Sequence, residues 1–141
     1  RAINYRSEDF VAAAKEATGG KGVDLTLDMV GGEYTERNII AAPEDGRIVQ
    51  IATLGGADVK FNIARLMMKR LTLTGSTLRP RTREVKAGFA RALEAKVWPL
   101  LAAGKVKVVM DSTFPLAKAA DAHRRLETSE HVGKIVLVVG V

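Results

Sequence analysis

The chain has 141 residues, 47% of them hydrophobic and 27% charged, which excludes a disordered or collagen-like protein and fits one domain of ordinary size. Lys and Arg number 22 against 16 Asp and Glu, and the net charge of +6 permits an anionic partner without identifying it. Because the chain has no Cys, disulfide bonds and thiolate metal sites are excluded, and its two His, His123 and His131, cannot assemble a typical zinc site by themselves. No apolar run reaches the roughly 20 residues of a membrane helix, and no signal-peptide pattern opens the chain, so we expect a cytoplasmic protein with no membrane contact.

The first half of the chain predicts an alternation of strands and helices. Residues 2–5 predict a strand, and Ser7 is a good N-cap for a helix that Gly19 and Gly20 end. Residue 1 is Arg and a strand already follows it, so we expect the chain to be a piece of a longer protein. The next predicted elements are a strand over 23–30, a helix over 33–42 and a strand over 47–53.

The second half of the chain continues the alternation of predicted strands and helices. Asn62 caps a helix through Lys69, a strand follows over 71–77, and Thr82 caps a long helix that Pro99 kinks or restarts. The last predicted elements are a strand over 106–113, a helix over 116–127 and a strand over 134–139. Strands that alternate with helices of about 10 to 15 residues predict βαβ units, hence a parallel sheet and the α/β class.

Ligand sites are expected beyond the carboxyl ends of the strands, where loops and helix N-termini converge in an open parallel sheet. The candidate positions are Tyr5, the segment 29–32 with its pair Gly31-Gly32, the segment 51–56 and the segment 75–78. Adjacent glycines allow a ligand to approach the backbone closely, although they also simply make a turn. The chain contains no G-x-G-x-x-G phosphate-binding fingerprint.

Other polar residues favour structural roles. The chain lacks a G-x-S-x-G elbow, which argues against a hydrolase. His123 lies on the inward stripe of its predicted helix and is expected to be a packed core histidine, whereas His131 is expected to face solvent. Asp28, at the end of an apolar strand, is expected to accept hydrogen bonds from loop amides rather than to act as a base.

Basic residues are concentrated between Arg65 and Lys96, where nine Lys and Arg stand against two Glu and give a local balance of +7. A nucleic-acid binder would carry aromatic platforms among these charges, and only Phe89 is near, at a spacing that points inward. We therefore interpret the run as a solvated helix face and expect no nucleic-acid partner. Arg79 and Arg81, near a strand end, could still help to hold an anionic ligand.

Five segments together resemble a known enzyme family. They read AINYRSEDF, TGGKGVDLTLDMVGG, GRIVQIATLGG, LTLTGSTLRPR and FPLAKAADAHRRLETSEHVGKIVLVV. In this order they are similar to the quinone oxidoreductase (zeta-crystallin-like) branch of the zinc-independent medium-chain dehydrogenases/reductases, over essentially the whole chain. The resemblance implies a two-domain enzyme with a Rossmann cofactor domain and a GroES-like catalytic domain, which passes hydride from NADPH to a quinone or enone without zinc.

The resemblance also implies which residues bind the cofactor. Tyr5 and Val30 match positions at its adenosine end. The loop whose backbone approaches the nicotinamide corresponds to Ile51, Ala52, Thr53 and Leu54. The strand end that hydrogen-bonds the carboxamide corresponds to Ser76, Thr77 and Leu78. No residue of the chain is implied as a catalytic acid or base.

Parts of the family pattern are absent from the chain. The missing parts are the glycine-rich first βαβ unit, the strand that selects the 2′-phosphate and the substrate-facing domain. The chain alone is therefore expected to be inactive. The preference for NADPH over NADH is an expectation that comes from the family only. The resemblance implies a partial, doubly wound Rossmann-type sheet, with residues 1–104 as the later part of this domain and 105–141 as a C-terminal return toward the catalytic domain. In the family's 3-2-1-4-5-6 order, the missing strands 1 and 2 lie between 2–5 and 23–30.

The strand over 71–77 is the last of that order and therefore an edge. An unpaired edge is a template for another strand, so we expect a homodimer through 71–77, which Thr74→Pro would test. The alternative is that Pro80 and the long basic helix cover the edge. Two other functions stay open, an inactive binding or dimerisation module and, more weakly, a basic nucleic-acid binder. A G-x-G-x-x-G motif upstream of Arg1 would separate the oxidoreductase from the module.

Overall fold

Three parallel strands and three helices make up the N-terminal part of the chain. In the computed structural model, which describes residues 1–140, they are α1 (Phe10–Ala17), β1 (Leu25–Asp28), α2 (Tyr34–Ala41), β2 (Arg47–Gln50), α3 (Ile63–Met68) and β3 (Thr72–Gly75). The sheet order is β1-β2-β3, and both pairings are parallel. Arg1–Arg81 form one compact unit around this sheet, which we call unit 1. The predicted α/β class with a parallel sheet is confirmed.

A second compact unit, unit 2, begins at Thr82. Its elements are α4 (Arg83–Lys96), α5 (Trp98–Ala102), β4 (Met110–Pro115), a 3₁₀ turn (Leu116–Lys118), α6 (Ala119–Glu127) and β5 (Lys134–Val138). The strands β4 and β5 pair in parallel. Pro99 restarts the helix as predicted, because it lies in the first turn of α5. Among residues 1–140, no helix is long and apolar enough to cross a membrane.

The core of unit 1 lies between α2 and the sheet. Ile39 and Ile48 are fully buried and pack with Ala42 and Leu71. Lys69, just after α3, seals this core: its Nζ donates at 2.6–3.1 Å to three carbonyl oxygens at the end of α2, those of Ile39, Ile40 and Ala42. These contacts satisfy helix-terminal carbonyls that would otherwise lack donors. Burial, with smaller effects from nearby positive charges, lowers the pKa of Lys69.

Residues 2–5 do not form the predicted strand. The Asn4 carbonyl instead accepts hydrogen bonds from the amides of Ser7 (3.0 Å) and Glu8 (2.8 Å). A strand needs a neighbour to pair with, and none of the strands within residues 1–140 pairs with this segment, so the local turn prevails. Because the turn uses these two amides, α1 begins at Phe10 with Asp9 as its N-cap, and not at Ser7.

Three ring side chains of unit 2 lie differently from the prediction. His123 on α6 is exposed rather than packed, and His131 is half-buried rather than facing solvent. The Nδ1 atom of His131 is buried without a hydrogen-bond partner among the described residues. Phe89 on α4 is 53% exposed. The helical stripes that carry His123 and Phe89 predicted a covering layer, yet Ala122 is the only buried hydrophobic residue between positions 82 and 140.

Candidate cofactor site

The carboxylate of Asp28 organises the turn that follows β1. It is 5% exposed, and it accepts hydrogen bonds from the amides of Val30 (2.6 Å) and Gly31 (3.2 Å) and from Nδ2 of Asn38 on α2 (2.9 Å). These contacts tie the end of β1 to the helix that follows it. The prediction that Asp28 binds loop amides is confirmed.

The two glycine pairs contact each other. The Gly32 amide donates to the Gly56 carbonyl at 3.1 Å, and the Gly55 amide donates to the Val30 carbonyl at 2.7 Å. A Cβ on Gly31 would lie 2.8 Å from the Gly56 oxygen, and a Cβ on Gly32 would lie 2.6 Å from the Gly55 oxygen. The glycines are therefore needed where the two turns pack backbone to backbone. This contact, rather than the close approach of a ligand, explains Gly31 and Gly32.

A cavity of about 480 Å³ opens where β2 and β3 end. It brings together two of the segments predicted to bind the cofactor, because parallel strands end at the same edge of the sheet. The Gln50 carbonyl joins them by accepting the Ser76 amide at 3.0 Å. The lining residues are Gln50, Ile51, Ala52, Thr53, Gly75, Ser76, Thr77 and Arg81.

Several backbone amides at this edge lack an acceptor. The Leu54 amide donates to the Met29 carbonyl at 3.2 Å, which holds the far side of the loop. Among residues 1–140, no acceptor is bound by the amides of Ala52, Thr53, Thr77 and Leu78. Amides of this kind are strong donors, and those that lie in two adjacent loops can bind a planar carbonyl or carboxamide group.

The other predicted site residues lie outside this cavity. Leu54 and Leu78 flank it in sequence, but their side chains are 79% and 58% exposed and do not line it. Val30 lines a different cavity of about 400 Å³, beside β1. Tyr5 is 64% exposed, with the Arg6 guanidinium 6.0 Å from its ring centre. The roles of Tyr5 and Val30 at the adenosine end of the cofactor stay a prediction.

Gln50 was not among the predicted site residues. A signal was available, because Gln50 is a polar side chain inside the apolar run 47–53, next to a predicted ligand-binding strand end. Its side-chain Nε2 donates to the Ala52 carbonyl at 2.5 Å. Gly75 belongs to the candidate segment 75–78, and Arg81 was noted as a basic residue near a strand end; both line the cavity.

Metal-ligating side chains are not clustered in the described part of the chain. Within residues 1–140, no three His, Asp or Glu side chains gather as a metal site needs, and the chain has no Cys. A zinc-free reaction stays a prediction.

The family model of the zinc-binding dehydrogenases matches residues 1–137. The chain therefore belongs to the zinc-binding dehydrogenase family. This assignment confirms the predicted membership of the medium-chain dehydrogenases/reductases, and the likeness to solved dehydrogenases confirms the Rossmann-type α/β fold.

Two curated relatives and one solved structure show what share of this chain, and of each similar protein, the match covers. Quinone oxidoreductase of Homo sapiens is 27% identical over 138 residues, which cover 97% of this chain and 40% of the relative. Quinone oxidoreductase 1 of Escherichia coli is 34% identical over 141 residues, which cover 96% of this chain and 42% of the relative. The crystal structure of Escherichia coli quinone oxidoreductase complexed with NADPH has a TM-score of 0.77 at 33% identity, and the match covers 96% of this chain and 42% of that structure's chain. The chain thus spans about 40% of the length of these quinone oxidoreductases.

Proposed function

We propose that the full-length protein is an NAD(P)H-dependent oxidoreductase that transfers hydride from NADPH to a quinone or enone. The observation that carries the proposal is the cavity at the ends of β2 and β3, bordered on both sides by unpaired amides. The names of the relatives support it, since they are quinone oxidoreductases and one was solved with NADPH. Bound NADPH would supply the hydride, and a proton from solvent would complete the reduction of the acceptor.

The residues of this chain would bind and orient the nicotinamide end of the cofactor. The amides of Ala52 and Thr53 on one side, and of Thr77 and Leu78 on the other, are the donors from which we assign one on each side to the carboxamide oxygen, which can accept two hydrogen bonds. Glycine at position 75 suits this role, because the wall between the two loops then carries no side chain. Ile51, Leu54 and Ser76 complete the two segments, and Tyr5 and Val30 are assigned to the adenosine end.

Bulk placed in the nicotinamide loop tests the assignment. In the full-length protein, Ala52→Trp should raise the KM for NADPH at least about tenfold, because the indole would occupy space that the nicotinamide ring needs. The control is Ala95→Trp, at an exposed position of α4. Reductase assays with a small quinone would measure both variants. An unchanged KM for NADPH in Ala52→Trp would contradict the placement of the nicotinamide.

Three further properties belong to this proposal. We assign residues 1–104 to the cofactor domain and 105–141 to a return segment toward a catalytic domain. We propose a cytoplasmic homodimer that pairs through the edge strand within 71–77, supported by the edge position of β3 and the exposure of its four residues. We also propose that the reaction needs no zinc.

A further inference from the structure

Gln50, the only glutamine of the chain, contacts both loops of the candidate cofactor site. Its side-chain Nε2 donates to the Ala52 carbonyl at 2.5 Å, and its backbone carbonyl accepts the Ser76 amide at 3.0 Å. The side chain is half-buried and faces the turn after β1, since its Nε2 lies 3.5 Å from the place of a Cβ on Gly31. One residue thus couples the ends of β2 and β3.

The hydrogen bond to Ala52 also sets the direction of the next amide. In a trans peptide the C=O and the N–H point in opposite directions, and no peptide bond among residues 1–140 is cis. With the Ala52 carbonyl held by Gln50, the Thr53 N–H is turned away from the Gln50 side chain. That N–H is one of the unpaired donors beside the cavity.

We propose that Gln50 is a positioning residue for the cofactor, which holds the Ala52-Thr53 peptide in the orientation that lets Thr53 donate to the nicotinamide carboxamide. The inference rests on the proposed function and adds the side chain that presets one donor. Without this hydrogen bond the peptide could rotate, and a carbonyl would then face a ligand group that needs a donor. Presetting the donor lowers the cost of ordering the loop when the ligand binds.

Two substitutions in the full-length protein separate this role from a general effect on packing. Gln50→Met keeps the length of the side chain and removes its donor. Gln50→Glu repels the Ala52 carbonyl when it is ionised and donates to it when it is protonated. Thr72→Val is the control, because Thr72 is exposed at the opposite end of β3. Circular dichroism would verify that each variant is folded.

The measurement is the dissociation constant of NADP⁺, compared with that of 2′,5′-ADP, which lacks the nicotinamide, by calorimetry at pH 8 and pH 5. For Gln50→Met we expect about tenfold weaker binding of NADP⁺ and unchanged binding of 2′,5′-ADP, the effect of one hydrogen bond. Gln50→Glu should bind NADP⁺ weakly at pH 8 and recover toward the wild-type value at pH 5, because a carboxyl beside a carbonyl oxygen favours its protonated form. Thr72→Val should match the wild type throughout.

The outcomes distinguish the two proposals. If the unaltered protein does not bind NADP⁺, the proposed function fails and the role of Gln50 fails with it. If the unaltered protein binds NADP⁺ and Gln50→Met binds it equally well, only the role of Gln50 is overturned. Equal losses for NADP⁺ and 2′,5′-ADP in Gln50→Met would indicate general damage to the sheet and would also overturn it.

Discussion

At the scale of single residues, Asp28 supports the whole turn after β1. Asp28→Ala should lower the free energy of unfolding by about 2–4 kcal/mol, because the half-buried amide of Val30, the buried amide of Gly31 and the side-chain amide of Asn38 would lose their acceptor. Urea unfolding of the 141-residue chain would measure this. Asp24→Ala is the matched control, since Asp24 is exposed and pairs with Lys21 on the surface, and it should cost less than about 1 kcal/mol. Equal effects of the two variants would contradict the role given to Asp28.

We expect Asp111 to make the stability of unit 2 sensitive to acid. Its carboxylate accepts two hydrogen bonds from Arg125 and others from Ser112 and the Val132 amide. Arg125 foremost, then Ser112 and Val132, hold the pKa of Asp111 well below its usual range. Because folding favours the ionised form, its stabilising contribution is complete above the unfolded pKa of about 3.9 and is lost as the pH falls through the folded value.

The expected result is a melting temperature of unit 2 that falls as the pH drops below about 4. In Asp111→Asn this part of the decline should be absent, and the melting temperature at pH 7 should already be lower. Circular dichroism melts of the chain between pH 7 and pH 2 would record both. Identical pH profiles for the two proteins would show that this carboxylate does not govern acid unfolding.

At the scale of elements, the backbone pattern of β3 decides which residues face the open edge of the sheet. The amides of Thr72 and Ser76 donate to carbonyls of the β2 side, those of Gly46 and Gln50. Since alternate residues of a parallel strand bond in the same direction, Thr74 also faces β2, and the Leu73 amide points to the open edge. A proline at Thr74 would therefore break the sheet itself, so Thr74→Pro is the wrong test of edge pairing.

Leu73→Pro is the better test of the proposed dimer. It removes a donor that β2 does not use, so the sheet should survive while pairing with a second copy is lost. Sedimentation of the full-length protein should shift from dimer to monomer. Leu73→Ala serves as the control for the lost side chain and should remain dimeric. A monomeric wild-type protein would exclude the proposed dimer. A Leu73→Pro variant that stays dimeric at low concentration would place the interface elsewhere.

The elements that local residues determine were predictable from the sequence. Asn62 and Thr82 act as N-caps, accepting the amides of Ala64 (2.9 Å) and Val85 (3.4 Å), because a cap depends on neighbours in sequence. Strands depend on distant partners. The predicted strand over 106–113 begins only at Met110, and the strand over 2–5 does not form. Propensity cannot show whether a segment has a neighbour to pair with.

The candidate site was predictable to a similar extent. The rule that ligands bind at strand ends placed 51–53 and 76–77 at one edge, and the structure brings them together around one cavity. The role of Gln50 was not predictable, because its hydrogen bond to Ala52 depends on a side-chain conformation and a loop path. The contact between the two glycine turns could not be predicted either, since each glycine pair alone is consistent with an ordinary turn.

At the scale of the whole molecule, much apolar surface is exposed. Within residues 1–140, Ile39 and Ile48 are the large side chains that are fully buried, while Leu25 and Leu27 on β1 and Met29 just after it are each more than half exposed. Exposed apolar surface of this extent is unusual for a stable monomer. It agrees with a chain that spans about 40% of the length of the quinone oxidoreductases to which it is similar.

The 141-residue chain by itself should bind NADPH weakly, with a dissociation constant in the millimolar range or above. The chain has no G-x-G-x-x-G segment, and the helix N-terminus that such a segment opens supplies much of the recognition of the cofactor's phosphates. Cofactor fluorescence would measure the affinity, and amide NMR shifts would show whether the contacts fall on 51–54 and 76–78. Low micromolar binding would contradict this expectation and point to another phosphate site, with Arg79 and Arg81 as the first residues to test.

The contact between the glycine turns constrains how this sequence can evolve. A side chain at Gly31 or Gly32 meets a carbonyl of the opposite turn, and a Cβ on Gly55 would lie 3.1 Å from a methyl group of Val30. A single mutation on either side therefore meets an obstacle on the other, and a tolerated change needs a compensating change in a loop distant in sequence. Among descendants of this protein, these positions should stay unchanged or change together, while exposed neighbours such as Lys60 vary independently.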